Sequence, residues 1–191
     1  MRTILFLAAL SLCFVPASGI SAQEAPYNGA ETPAEFPSVP RQFRGLILGM
    51  SLDELRESLA QDSLFRFRGE RDVSFLPARQ ETLVETTGAS FIRRAHFQLS
   101  DEGEVFIMSF TLDARLVDHY SMFTTFVNRY GQPVILNPSE AVWEDDYTRV
   151  SIERPLTVKY IDRAVFDRLR EESMTRQHRE TLMREEFLAE F

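Results

Sequence analysis

Residues 90–112 read SFIRRAHFQLSDEGEVFIMSFTL, and this stretch decides the fold. In its first half Phe91, Ala95, Phe97 and Leu99 alternate with the polar Arg94, His96 and Gln98. Successive side chains of a strand point to opposite faces, so a period of two sends one set into a core and the other into solvent. Arg93 interrupts the apolar set near its edge. The second half, 104–112, is rich in β-branched and aromatic residues, which suit a pleated, half-buried surface. Ser100-Asp101-Glu102-Gly103 separates the halves, and Gly103 can take the left-handed conformation that a tight turn needs. The spacing predicts a β-hairpin with one core face.

On the N-terminal side of the hairpin, 82–86 reads as a strand, and 64–68 and 72–76 as shorter ones. Before them Ser51 is a strong helix cap, and Glu54 three residues on completes a capping box. Met50 precedes the cap and can pack on Leu55; Leu52, Leu55 and Leu59 share one helical face. Residues 46–48 form a short buried strand candidate that Gly49 ends. On the C-terminal side a helix is predicted from about Asp118 to Tyr130, with Met122, Phe123, Phe126, Val127 and Tyr130 as its apolar stripe. Gly131 suits its end and Pro133 blocks continuation. Strand candidates 141–144, 148–153 and 156–160 follow, the first two flanking the turn residues Asp145-Asp146.

The order helix, strands, helix, strands suggests two similar halves. The expected fold is α+β: an antiparallel sheet with helices packed on one face, spanning 42–161. A last helix covers 162–191, capped by Asp162. Val165, Phe166 and Leu169 can pack on the domain. Glu172, Arg176, Glu180 and Arg184 then stand four apart with alternating sign. Such pairs support an exposed helix by about 0.2–0.5 kcal/mol each. Beyond them Met183, Phe187 and Phe191 again share one face. Two arrangements fit: the apolar tip folds back on the domain, or it projects and docks on a protein partner or a second copy. The terminal Phe191 is no barrel signature, because the period leading into it is helical.

The N-terminus has the layout of a signal peptide: Arg2, an apolar run over 4–16, then the small residues Ala17-Ser18-Gly19 and Ser21-Ala22. The run is short for a span of about 20 residues, and no basic cluster follows it. Residues 1–22 are expected to be removed on export, leaving a periplasmic or otherwise exported protein. A lipid on Cys13 is the alternative route to the membrane, although Leu12 is bulky where a lipidation signal carries a small residue. Residues 23–41, with Pro26, Pro33, Pro37 and Pro40, read as an extended linker.

Composition narrows the chemistry. The formal charge is −8, and losing a segment whose one charged residue is Arg2 makes it more negative. An acidic chain repels phosphate backbones, so no nucleic-acid partner is expected. Cys13 is the one cysteine, so the processed chain has no disulfide and no thiolate ligand. His96, His119 and His178 show no ligand spacing; no metal site and no cofactor are expected. No GxSxG, P-loop or GxGxxG is present. Glu144-Asp145-Asp146 is the densest acid cluster, and its simplest role is a solvated turn. Arg66, Arg68, Arg93 and Arg94 could form an anion-binding patch on the sheet, with Arg71 near its edge, although Glu70, Asp72 and Glu85 interleave them. Trp143 reads as a core anchor.

The segment GLILGMSLDELRESL (45–59) resembles the opening of the small envelope domains of the SmpA/OmlA outer-membrane-assembly lipoproteins and of related folds of the β-lactamase-inhibitor-protein type. The shared pattern falls on Gly49, Met50, Ser51, Leu55 and Leu59, and Gly131-Gln132-Pro133 is similar to the Gly-x-Pro that ends a helix in these domains. The resemblance implies a non-catalytic domain that acts through protein contacts. The expected function is therefore an exported envelope protein that binds or scaffolds other proteins, with Met183, Phe187 and Phe191 as candidate contact residues. The alternatives are a small-ligand or anion-binding module on the arginine face, and an enzyme built from scattered acids.

Overall fold

The computed structural model describes residues 38–77 and 80–191. The expected signal segment 1–22, Cys13 and residues 23–37 of the expected linker lie outside the described residues.

A two-stranded ribbon, β1 (Gln42–Phe43) and β2 (Leu46–Ile47), leads into α1 (Leu52–Gln61). After a single 3-10 turn at Gly69–Asp72, four antiparallel strands follow: β3 (Val73–Leu76), β4 (Glu81–Thr87), β5 (Ile92–Leu99) and β6 (Val105–Leu112). Then α2 (His119–Tyr130) precedes four more, β7 (Ile135–Leu136), β8 (Glu140–Glu144), β9 (Thr148–Glu153) and β10 (Thr157–Asp162). The chain closes on α3 (Arg163–Ala189).

All strands from β3 onward form one antiparallel sheet in the order β3-β4-β5-β6-β10-β9-β8-β7. Each half is a helix followed by a four-stranded meander. The two halves join through their last strands, β6 and β10, and run outward in opposite chain order. The repeated order of helix and strands read from the sequence is thus the plan of the sheet.

Helix ends follow the expected chemistry. The Ser51 side chain accepts from Glu54 N–H, and the Glu54 carboxylate accepts from Ser51 N–H at 2.7 Å, which satisfies two donors that a helix start leaves unpaired. The Asp118 carboxylate likewise accepts from Ser121 N–H at 2.9 Å to cap α2. At the far end of α2, Gly131 takes φ of 80°, and its carbonyl accepts the Trp143 indole N–H at 2.8 Å. The buried Trp143 thereby ties the end of α2 to β8, as a core anchor.

Directly paired residues share a face, so the register gives both sides of the sheet. One side carries Val84, Phe97, Met108, Tyr160, Val150 and Trp143 in a continuous row from β4 to β8. Leu55 and Leu59 of α1 and Phe126 of α2 belong to the same core cluster. Phe110 is the hub: its ring lies 4.6 Å from Phe43, 5.9 Å from Phe97, 6.1 Å from Tyr160 and 6.2 Å from Phe65, centre to centre. Burial strips water from Tyr160 and pushes its phenol far above the usual tyrosine range. The other side of the sheet carries Glu85, His96, Ser109, Lys159 and Ser151 in one row.

Three details depart from the sequence reading. Phe91 is exposed and Ile92 is buried, because a bulge between Ile92 and Arg94 shifts the register by one and turns the apolar set over. Residues 64–68 form no full strand; a single bridge, Phe65 to Gly88, continues the edge before the 3-10 turn. Val39 packs against the core and Arg41 binds Asp162, so part of the expected linker is docked on the domain.

Candidate interaction site

The start of α3 is held from several directions. The Asp162 carboxylate accepts from Val165 N–H at 3.2 Å and caps the helix. The same carboxylate takes the guanidinium of Arg41, whose other nitrogen donates to the Tyr147 carbonyl at 3.1 Å and to Thr148 Oγ1 at 3.2 Å. Arg163 donates through its side chain to the Asp145 carbonyl and through its N–H to Tyr147 O at 3.0 Å. One turn on, Arg168 reaches back to Glu102 in the β5–β6 turn at 3.1 Å. Position and direction of α3 are thus fixed by its first six residues.

Beyond that anchor the helix is solvent-exposed along its length. Every residue from Arg170 to Phe191 is exposed except the half-buried Thr181. Of the candidate contact residues, Met183 is 62%, Phe187 60% and Phe191 95% exposed. The Phe187 and Phe191 rings meet edge to face at 5.3 Å. Leu182 and Leu188 are exposed beside them. Of the two arrangements open from the sequence, the tip has the exposed one.

At its base α3 forms one wall of a groove of about 370 Å³. Phe166, Leu169 and Met174 line the helix side; Gln98, Phe106 and Ile107 line the sheet side. Sequence reasoning missed this groove. The signal was the unbroken apolar run Val105-Phe106-Ile107-Met108, which one-faced alternation cannot explain. Phe106 falls at a second register irregularity, between Gln98 and Leu99, and is buried on the groove side.

The candidate arginine patch is laced with acids. Arg68 donates through Nε and its backbone N–H to Asp72, at 2.7 and 3.0 Å. Burial raises the Asp72 carboxyl, but these hydrogen bonds outweigh it and hold the group below the usual aspartate range. Arg94 and His96 both meet Glu85 Oε1, each at 3.4 Å. Nearby, hydrogen bonds from Arg115 hold the Asp113 carboxyl far below its ordinary range, and the charge of Arg93 adds a smaller push in the same direction. Arg93 itself is exposed at the bulge. Arg66 is exposed and lies beside this group, its backbone N–H donating to Thr87 O opposite Arg94. Four cations share a neighbourhood, but Arg68 and Arg94 are engaged by carboxylates.

The acid cluster has a structural task. Asp145 Oδ1 accepts from Tyr147 and Thr148 N–H at 2.9 and 2.8 Å, and Oδ2 accepts from Val39 N–H at 3.1 Å. It closes the β8–β9 turn and holds the N-terminal segment. Glu144 faces Arg149 at 3.5 Å. Among the described residues no group of three or more His, Cys, Asp or Glu side chains is placed to hold a metal ion. Also among the described residues, no helix is long and apolar enough to cross a membrane.

Residues 41–172, more than two thirds of the chain, match the TP0088 domain family. The chain belongs to the TP0088 domain family. Comparison with curated proteins and with solved structures finds no match. The boundaries of the TP0088 domain agree with the packing. It begins at Arg41, the residue that pins Asp162, and ends just after the anchored part of α3. The exposed remainder of the helix, with its apolar tip, lies past the matched domain.

Proposed function

We propose that this TP0088-domain protein is exported to the cell envelope and acts there without catalysis, by binding protein through the tip of α3. The observation that carries the reading is the exposure of Met183, Phe187 and Phe191 on a helix whose base is rigidly anchored. A solvated aromatic pair exposes apolar area to water, and removing it onto an apolar partner surface is favourable by roughly 25 cal/mol per Å² covered. The anchor sets where the tip points, which limits the entropy lost on docking. The signal-like layout of 1–22 and the resemblance of 45–59 to envelope assembly domains support the compartment.

The test is affinity capture of the tagged protein from its native envelope, beside a variant with Met183→Ser, Phe187→Ser and Phe191→Ser. The variant is expected to lose the co-captured protein while keeping its fold by circular dichroism. Equal capture by both forms would remove the tip from the interaction. N-terminal sequencing of the isolated protein checks export, with cleavage expected after Gly19 or Ala22.

A further inference from the structure

We infer that the tip of α3 docks on a second copy of this chain, in the groove at the base of that copy's α3, and reciprocally. This rests on the reading that the tip is a protein-contact element. On a helix of 3.6 residues per turn, Val165, Leu169, Glu172, Arg176, Glu180, Arg184, Met183 and Phe187 fall in one stripe about 120° wide, and Phe191, two residues past the end of α3, holds its ring beside Phe187 at 5.3 Å. The stripe has an apolar base, a charged middle and an apolar tip.

Two patterns in it share a centre. The alternating charges are symmetric about the level of His178, and so is the spacing between base and tip. A two-fold axis at that level sets two such helices antiparallel. It places Glu172 against Arg184 of the second copy and Arg176 against its Glu180. The same axis places Leu169 against Phe187 of the second copy, with the Phe191 ring stacked on Phe187 beside it, at the Val165 end. Base and tip lie 18 residues apart, about 27 Å of helix, and one operation satisfies both ends. Intrahelical charge support alone requires no such coincidence with the apolar ends.

The groove gives the rings a place to go. Phe166, Leu169, Phe106 and Ile107 offer apolar walls, and its 370 Å³ is within the range of about 300–1,000 Å³ of small-ligand clefts. Phe187 is 60% and Phe191 95% exposed, so at about 150–250 Å² per ring the two tips together can cover about 450–800 Å² before Met183 and the groove walls are counted. That approaches the area of about 1,000 Å² at which specific association begins. A two-fold contact of this kind is closed, so it makes a dimer and no fibre.

Sedimentation equilibrium on the full, export-processed chain tests it through a charge exchange. Wild type is expected to dimerise with rising concentration. Glu172→Arg and Arg184→Glu should each weaken the dimer by on the order of tenfold, since each sets two like-charge pairs across the axis. The two changes together should restore it. Within one helix the double variant only adds like-charge neighbours, an arginine one turn before Arg176 and a glutamate one turn after Glu180, so recovery reports the contact between copies. A wild-type monomer at every concentration overturns the proposal, as does a double variant as weak as the singles. If wild type is monomeric and the triple Ser variant still loses envelope capture, the dimer falls and the binding reading stands. If the exchange restores the dimer and the Ser variant loses native copies of this chain and no other protein from its capture, the second copy is the occupant and a different envelope protein is not.

Discussion

The same substitution at two phenylalanines separates core from contact surface. Phe110→Ala removes a ring that is 2% exposed and sits among Phe43, Phe65, Phe97 and Tyr160. The four surrounding rings are held by three different parts of the chain: the N-terminal ribbon, the β4 edge segment and the sheet itself. They cannot all close on the space, so the cost is transfer plus cavity, about 3–5 kcal/mol. For a chain of this size that lowers the melting temperature by about 6–20 °C. Phe187→Ala removes a ring of equal size that is 60% exposed and stacks edge to face on Phe191 alone among the described rings. Its cost is expected within about 0.5 kcal/mol. Urea unfolding followed by far-ultraviolet circular dichroism and by Trp143 fluorescence gives both numbers, provided the slope with denaturant stays constant. A loss above about 1.5 kcal/mol at Phe187 in a dilute, monomeric sample would mean that the tip packs on its own domain, since exposed positions rarely cost that much. The projecting helix, and both proposals built on it, would then fail.

Other expectations follow from single contacts. Ser51→Ala opens the capping box of α1 and should cost about 1 kcal/mol in the same unfolding assay, with Ser51→Asp close to wild type. Trp143→Phe leaves the buried Gly131 carbonyl without its donor and should cost at least about 1–3 kcal/mol, the smaller ring adding to the loss. The Asp72 carboxyl is held below its unfolded value, so its contribution is present above the ordinary aspartate range and is lost as pH falls through the folded value. Asp72→Asn should therefore lower stability at neutral pH and flatten the acid limb of a stability-against-pH curve; an unchanged limb would refute the assignment. Arg41→Ala removes the link from the N-terminal segment to Asp162 and should speed proteolysis before β1, while Arg44→Ala, whose partner Asp62 lies elsewhere, should not.

The amino-acid order by itself determined what depends on neighbours within four or five residues. The Ser51–Glu54 box, the Asp162 cap, the turn at Gly103 and the alternation from Ala95 to Leu99 in β5 all arise from local hydrogen bonding and side-chain period. The apolar face of the α3 tip was legible for the same reason. Of the three two-residue strands, β2 was legible from its apolar run stopped by Gly49, whereas β1 and β7, too short to carry a period, were not. Which strands meet was decided only by tertiary structure. Joining β6 to β10 pairs residues 46 to 54 positions apart, from Thr111 with Thr157 to Ile107 with Ile161, and this pairing lets both halves bury one continuous face. The bulge at Arg93 belongs to the same class: alternation put Phe91 on the core face, and the register against β6 turned it out and buried Ile92 instead. The partners of Arg41, Arg68 and Arg94 were likewise set by where the folded backbone put Asp162, Asp72 and Glu85. Whether the tip of α3 met its own domain turned on the direction in which Asp162, Arg163 and Arg168 fix the helix, a geometry that no local pattern encodes.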